Sequence, residues 1–302
     1  MNIINITSTS NYFTLSAQDE TERGLTKVAS CQIKPIIGEK KKNISNIQVH
    51  IEEASAKGAE IIAFPELANT GYVFETRKEA YSLAEGIPGG ETSDTVEELA
   101  RRRQVYVALG IAEKEQNNLY NSSALFGPQG FIGKYRKLHL WNKEKLFFEP
   151  GDLGLPVFNT ELGKLAMYIC RDMWFPESTR IYALQGADVV LNLTNWVAST
   201  LSPRVVGLYH SVCIAESHVN TLPMIVADRV GTERGQPFLG SSIIVDPNGA
   251  IVAGPASMEN EEIIYGKLNL MESRSMKTKT QLNHALHDRR TDVYDSMLGY
   301  KR

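Results

Sequence analysis

From residue 27 onward, short apolar and β-branched runs alternate with amphipathic stretches. KVASCQIK (27–34) predicts a strand. In EKKKNISNIQVHIEEASAKG (39–58), Ile44, Ile47, Ile51 and Ala54 recur on one helical face and Gly58 supplies a stop, which predicts a helix. AEIIAFPE (59–66) has the continuous apolar character of a buried strand, ending in Pro65. SDTVEELARRRQ (93–104) predicts a helix capped by Ser93 or Asp94, followed by the strand VYVALGIAEK (105–114). NLYNSSALFGPQGFIGKYRKLHL (118–140) predicts two strands around a Gly-Pro-Gln-Gly turn.

The second half continues in the same manner. GKLAMYIC (163–170), ADVVLNL (187–193) and TLPMIVADRV (221–230) predict strands; PESTRIYALQG (176–186) and PRVVGLYHSVCIAESHV (203–219) predict helices. GSSIIVDPNGAIVAG (240–254) predicts a hairpin on a Pro-Asn-Gly turn. Strand–helix units mixed with hairpins imply an α/β fold, a mixed sheet covered by helices. The polar stretch 1–26 reads as an N-terminal arm, 27–270 as one domain without an internal linker, and 271–302 as a charged C-terminal tail that could wrap a partner subunit.

Composition narrows the function classes. The 302 residues are 42% hydrophobic and 22% charged, ordinary for a globular protein. A net charge of -3 leaves no basic footprint for nucleic acid. No apolar run is long enough to span a bilayer, and the N-terminus lacks the basic and apolar regions of a signal peptide. Three cysteines, Cys31, Cys170 and Cys213, cannot all pair, which with the missing signal predicts the reducing cytoplasm. The six histidines are scattered and no metal-ligand spacing occurs, so neither a metal nor another cofactor is expected.

The chemistry centres on three stretches. Cys170 closes an apolar strand where a charged, proline-containing run, RDMWFPES, begins; strand carboxyl ends are where α/β proteins place ligand sites. A thiol near a helix start and cationic groups has a lowered pKa, whereas a lone cysteine is more often core filler. Glu66, after Phe64-Pro65, is either a half-shielded general base or a solvated loop carboxylate. Lys137 in GKYRKLHL is either a surface charge or, turned inward, an oxyanion stabiliser that lowers a thiol pKa. Cys31, inside the first strand, and Cys213, between Val212 and Ile214, read as small core residues.

Together, FPEL around Glu66, GKYRKLHL around Lys137 and CRDMWFPE around Cys170 resemble the nitrilase superfamily of carbon–nitrogen hydrolases. LYNSSALFGPQG and DRVGTERGQPFLGSSIIVDPNG resemble further landmarks of that family, over about residues 27–270. The resemblance implies a four-layer αββα sandwich with mixed sheets, commonly paired through helices into a homodimer or higher homo-oligomer. It implies Cys170 as nucleophile, Glu66 as proton carrier, and Lys137 with the backbone N–H of Arg171 as oxyanion stabilisers. Glu144, in EKLFFEPG, aligns with the second glutamate of many members, implying that it orients Lys137 or the substrate. Ser217 after Glu216, and Asp228 before RVG, stand where Asn is common, which puts hydrogen bonds around the triad in question.

The branch rests on the residues after the cysteine. Cys-Arg-Asp-Met-Trp-Phe-Pro-Glu is similar to the pattern of N-carbamoylputrescine amidohydrolase-like members, whereas nitrilases read Cys-Trp-Glu. This implies hydrolysis of a small linear amide or N-carbamoyl compound through a thioester. The alternatives are a nitrilase, acyl transfer to an amine, and a non-catalytic binding member. Candidate pocket residues are Tyr72, Trp141, Trp174, Asn195 and Trp196, aromatic walls suited to a small ligand. Each tryptophan has core or interface packing as its alternative.

Overall fold

A computed structural model describes residues 24–198 and 206–297. The sequence predicts a helix from 203, and its first residues lie outside the described ones, as does most of the predicted arm at 1–26.

Two six-stranded sheets carry the fold. The first has the order β14-β1-β2-β3-β4-β5 and the second β13-β12-β9-β8-β7-β6. In the first, β1 (Thr26–Gln32), β2 (Ile61–Ala63) and β3 (Tyr106–Glu115) are parallel; β4 (Asn118–Gly127), β5 (Gly130–Arg136) and β14 (Glu262–Leu268) join antiparallel to their neighbours. In the second, β7 (Gly163–Ile169), β8 (Val189–Leu193) and β9 (Met224–Ala227) are parallel, flanked by antiparallel β6 (Val157–Thr160), β12 (Ile243–Val245) and β13 (Ile251–Ala253). A two-stranded ribbon, β10 (Thr232–Glu233) with β11 (Gln236–Pro237), stands apart. The predicted mixed α/β sandwich is thus observed.

Alternation along the strands assigns the layers. On β1, Val28 faces the core between the sheets, while Ala29 and Cys31 pack outward under helices α1 (Lys40–Ala56) and α3 (Glu91–Arg103). The predicted face Ile44, Ile47, Ile51 and Ala54 is the buried face of α1. Tyr182 and Ala183 of α4 (Pro176–Leu184) and Cys213 of α5 (Val206–Asn220) cover the second sheet. Ser30 donates across the sandwich to the Val226 carbonyl at 2.8 Å. Both Cys31 and Cys213 are fully buried.

Some local details differ from the sequence expectation. Helix α3 begins at Glu91 with Gly90 as N-cap, so neither Ser93 nor Asp94 caps it. The Glu85 carboxylate takes the Thr92 N–H at 3.1 Å, satisfying the helix start from outside and leaving Ser93 buried within it. Short α2 (Arg77–Leu83), β6 and β14 were not expected. Beyond residue 270, α6 (Glu272–Ser275) holds Arg274 against Asp188 at 2.7 Å, and Leu286 is buried, before α7 (Thr291–Met297). No helix among the described residues is long and apolar enough to cross a membrane.

Candidate active site

Strand ends converge on one place. Glu66 follows β2, Lys137 follows β5, Cys170 follows β7 and Asn195 follows β8. Glu66, Lys137 and Asn195 are buried to within 1% of full burial, and Cys170 is partly buried.

Lys137 Nζ lies 2.6 Å from Glu66 Oε1 and 2.8 Å from Glu144 Oε1, one cation between two carboxylates. Asn121 Nδ2 donates to the same Glu66 oxygen at 2.6 Å, and Asn195 Nδ2 donates to the Glu66 carbonyl at 2.8 Å. Glu144 accepts from Tyr72 Oη at 2.5 Å and, through Oε2, from the Trp141 N–H at 3.0 Å. The Glu66 backbone is pressed against β3: a Cβ on Gly110 would fall 2.4 Å from the Pro65 carbonyl and 2.6 Å from Glu66 Cα, so only glycine fits there.

Cys170 occupies left-handed backbone, φ +46°, at the junction of β7 and the 3-10 turn Cys170–Trp174. A β-carbon in that region is strained and needs its surroundings to hold it. Asp172 does so. Fully buried, it accepts from the Ile169 N–H at 3.1 Å, Tyr135 Oη at 2.6 Å and the His139 N–H at 2.9 Å, and its Oδ1 lies 2.7 Å from His139 Nδ1. The carboxylate thereby ties the turn to the end of β5, where Lys137 sits.

Burial dominates the electrostatics. It pushes the Glu66 carboxyl up to about 7, helped by Glu144 and opposed by Lys137 and Asn121. Burial opposes the charge on Lys137, yet Glu144 and Glu66 outweigh it and hold the ammonium above its ordinary value. The Cys170 thiol lies well above its ordinary value through burial and the Glu66 charge; Lys137 and the Asn195 backbone N–H facing the thiol pull it down by less. This reverses the lowered thiol pKa expected from the sequence. The resting pair is therefore a neutral thiol beside a carboxylate that titrates near neutrality.

Of the five predicted pocket residues, Tyr72 and Trp141 line a cavity of about 280 Å³, with Glu144, Phe74, Phe147 and Arg234 also in its wall. Arg234 is already paired with Glu79 at 2.6 Å. Trp174, Asn195 and Trp196 are not on that wall, nor are Glu66, Lys137 and Cys170. Trp174 meets Tyr209 edge-on at 5.5 Å, and Trp196 is buried against the same tyrosine at 5.0 Å. Arg171 lies over the Trp141 ring at 4.6 Å. Asn121 is a site residue that the sequence does not single out, since it stands beside Ser122 and Ser123 in β4 and only its burial against Glu66 marks it.

The carbon–nitrogen hydrolase profile matches residues 27–278, five-sixths of the chain. The chain belongs to the carbon–nitrogen hydrolase family. Among its relatives, the nitrilase of Pyrococcus abyssi is 43% identical over 270 residues, covering 89% of this chain and 99% of the relative. The N-carbamoylputrescine amidase of Solanum lycopersicum is 32% identical over 275 residues, 85% and 89% of the two chains. The crystal structure of a carbon–nitrogen hydrolase from Helicobacter pylori superposes with a TM-score of 0.82 at 28% identity, covering 93% of this chain and all of that one. The family match runs eight residues past the sequence-predicted boundary at 270.

Proposed function

We propose that this carbon–nitrogen hydrolase cleaves a small linear amide or N-carbamoyl compound through a thioester on Cys170, releasing ammonia. The observation that carries this is the buried Glu66–Lys137–Glu144 chain beside a cysteine held at φ +46°. Cys170 Sγ attacks the amide carbon while its proton passes to Glu66, so no free thiolate forms at rest. Negative charge collects on the carbonyl oxygen, which Lys137 and the Arg171 backbone N–H stabilise. Collapse expels ammonia as Glu66 returns the proton. Glu66 then draws a proton from water as it attacks the acyl carbon, and passes that proton to the Cys170 sulfur as the C–S bond breaks, freeing the acid, or a carbamic acid that decomposes to carbon dioxide and the amine. Glu144, tied to Tyr72 and Trp141, fixes the ammonium of Lys137.

Nitrile hydrolysis is the second reading, favoured by the name of the Pyrococcus relative. The Cys-Arg-Asp sequence and the N-carbamoylputrescine amidase relative favour the amide. The test is ammonia release from carboxamides, N-carbamoyl amines, N-carbamoyl amino acids and nitriles, beside Cys170→Ala. Turnover of amides or carbamoyl compounds that vanishes in the variant supports the proposal; turnover of nitriles alone overturns the branch, and acyl transfer without hydrolysis overturns the hydrolase step.

We further read the assembly as a homo-oligomer paired through α4 and α5, with 271–302 near the interface. Leu184, Leu208 and Val219 on those helices are 46%, 46% and 49% exposed, an apolar face that a second copy would cover. Light scattering at monomer mass across micromolar concentrations contradicts this. Three free cysteines support the cytoplasm as the compartment.

A further inference from the structure

A buried ion pair outside the triad reaches it through one tyrosine. Arg229 and Glu233 are 1% and 5% exposed, and Arg229 Nη1 donates to Glu233 Oε1 at 2.9 Å. Arg229 Nη2 donates to the Pro35 carbonyl at 2.8 Å, and the guanidinium lies over the Phe238 ring at 4.2 Å. The other carboxylate oxygen, Glu233 Oε2, accepts the backbone N–H of Tyr72 at 2.8 Å and that of Val73 at 2.6 Å. Gly71 permits this approach: a Cβ there would fall 2.7 Å from Glu233 Oε1 and 2.6 Å from Ile37 Cα. Phe238 meets the Tyr72 ring edge-on at 5.7 Å. Tyr72 is thus held by its backbone and by its ring. Its Oη donates at 2.5 Å to Glu144 Oε1, the oxygen that also accepts from Lys137 Nζ. Burial and the charges of Glu144, Glu66 and Cys170 push the Tyr72 phenol well above its ordinary value, so it remains a donor at neutral pH.

A buried ion pair is weak support for stability, since apolar residues of similar volume often hold a fold equally well. Apolar residues could not, however, accept the Tyr72 and Val73 N–H groups. We propose that Arg229 and Glu233 are positioning residues for the hydrolysis: through the Tyr72–Val73 backbone they set Tyr72 Oη on Glu144 and so fix the ammonium of Lys137. This rests on the Cys170 reading above and deepens it. Arg229 anchors the carboxylate, the carboxylate anchors the tyrosine, and the route to the chemistry is one hydroxyl.

The experiment is a double-mutant cycle on kcat, for a primary amide that the wild type turns over, normalised to folded enzyme by circular dichroism. Misplacing a catalytic group by about 1 Å costs about 100-fold in rate, so Glu233→Ala and Tyr72→Phe should each lower kcat about 10–100-fold. Residues that act along one route are not additive, so adding Glu233→Ala to Tyr72→Phe should cost less than about threefold more. Independent losses multiply, and a double variant as slow as the product of the two singles overturns the assignment. So does Tyr72→Phe or Glu233→Ala with kcat within about twofold of the wild type, far short of the cost of misplacement. If Arg229, left without its partner, unfolds Glu233→Ala, the cycle is run with Arg229→Met and Glu233→Ala combined, which strands no charge. Multiplying losses in an enzyme that forms an acyl adduct on Cys170 defeat this inference alone. No turnover and no adduct in the wild type defeats the Cys170 reading together with it.

Discussion

Replacing Lys137 by methionine removes the cation that two buried carboxylates share. Its side chain and that of Glu66 are fully buried and Glu144 is 4% exposed, so water cannot screen what remains. Deleting one partner of a buried ion pair typically costs about 3–5 kcal/mol, because the other is left charged and unpaired. Against a total stability of about 5–15 kcal/mol this is a large fraction. With unfolding entropy of about 2.1 cal/mol/K per residue, the loss corresponds to a Tm drop of roughly 5–8 °C for a chain this long. The deficit should be greatest at pH 8 and narrow toward pH 5, where the stranded carboxyls take up protons. Combining Lys137→Met with Glu66→Gln and Glu144→Gln removes the stranded charges and should restore most of the stability, though no activity. Urea unfolding followed by tryptophan fluorescence at pH 8 and pH 5 reads all of this. The reasoning is refuted if Lys137→Met lies within about 1 kcal/mol of the wild type at pH 8, well short of the usual cost of a stranded charge. It is equally refuted if the triple variant is no more stable than the single.

Three further outcomes follow from the same geometry. Glu66 must be ionised to take the thiol proton, so kcat/KM should fall on the acid side with a limb near pH 7, where burial has pushed that carboxyl; Glu144→Gln removes a charge that raises it and should move the limb to lower pH, and a limb near pH 4.5 in the wild type would contradict the assignment. Asp228, fully buried and held well above the carboxylate range by burial, keeps a proton that the unfolded chain releases, so its contribution to stability falls as pH rises; Asp228→Asn, which still accepts the Trp196 N–H, should therefore have a higher Tm than the wild type at pH 8, with the gap closing toward pH 4. In Gly110→Ala the new methyl must displace the Pro65–Glu66 backbone, and a misplacement near 1 Å costs about 100-fold in rate, so kcat/KM within twofold of the wild type would rule out this packing as a control on Glu66.

Much of this site could be read from the chain because its chemistry is placed by local signals. Glu66 and Cys170 each end an apolar run and Lys137 directly follows a strand, and strand ends in α/β sheets face the ligand side. The α1 face and both hairpins were legible for the same reason, since helical and strand periodicities are local. What was hidden is non-local. Strand β14 pairs with β1 across more than two hundred residues, and its half-exposed EIIYGKL carries little alternation. The clasp of Asp172 by Tyr135 and His139 joins two motifs that read as independent. The thiol's raised pKa depends on burial and on Glu66 arriving from another sheet, so the neighbouring Arg171 and the following helix pointed the wrong way. The cavity wall was half legible: Tyr72 and Trp141 line it, while Trp196 is spent on the core.

The central claim is a covalent thioester on Cys170, and trapping it is the most direct test. A primary amide that the enzyme turns over is mixed with the wild type and, separately, with Glu66→Gln, then quenched in acid and digested for peptide mass spectrometry. The account predicts an adduct of the acyl mass on the peptide carrying Cys170 and none on those carrying the buried Cys31 and Cys213. Continued ammonia release by Cys170→Ala, with no adduct on Cys170 in the wild type, would contradict it.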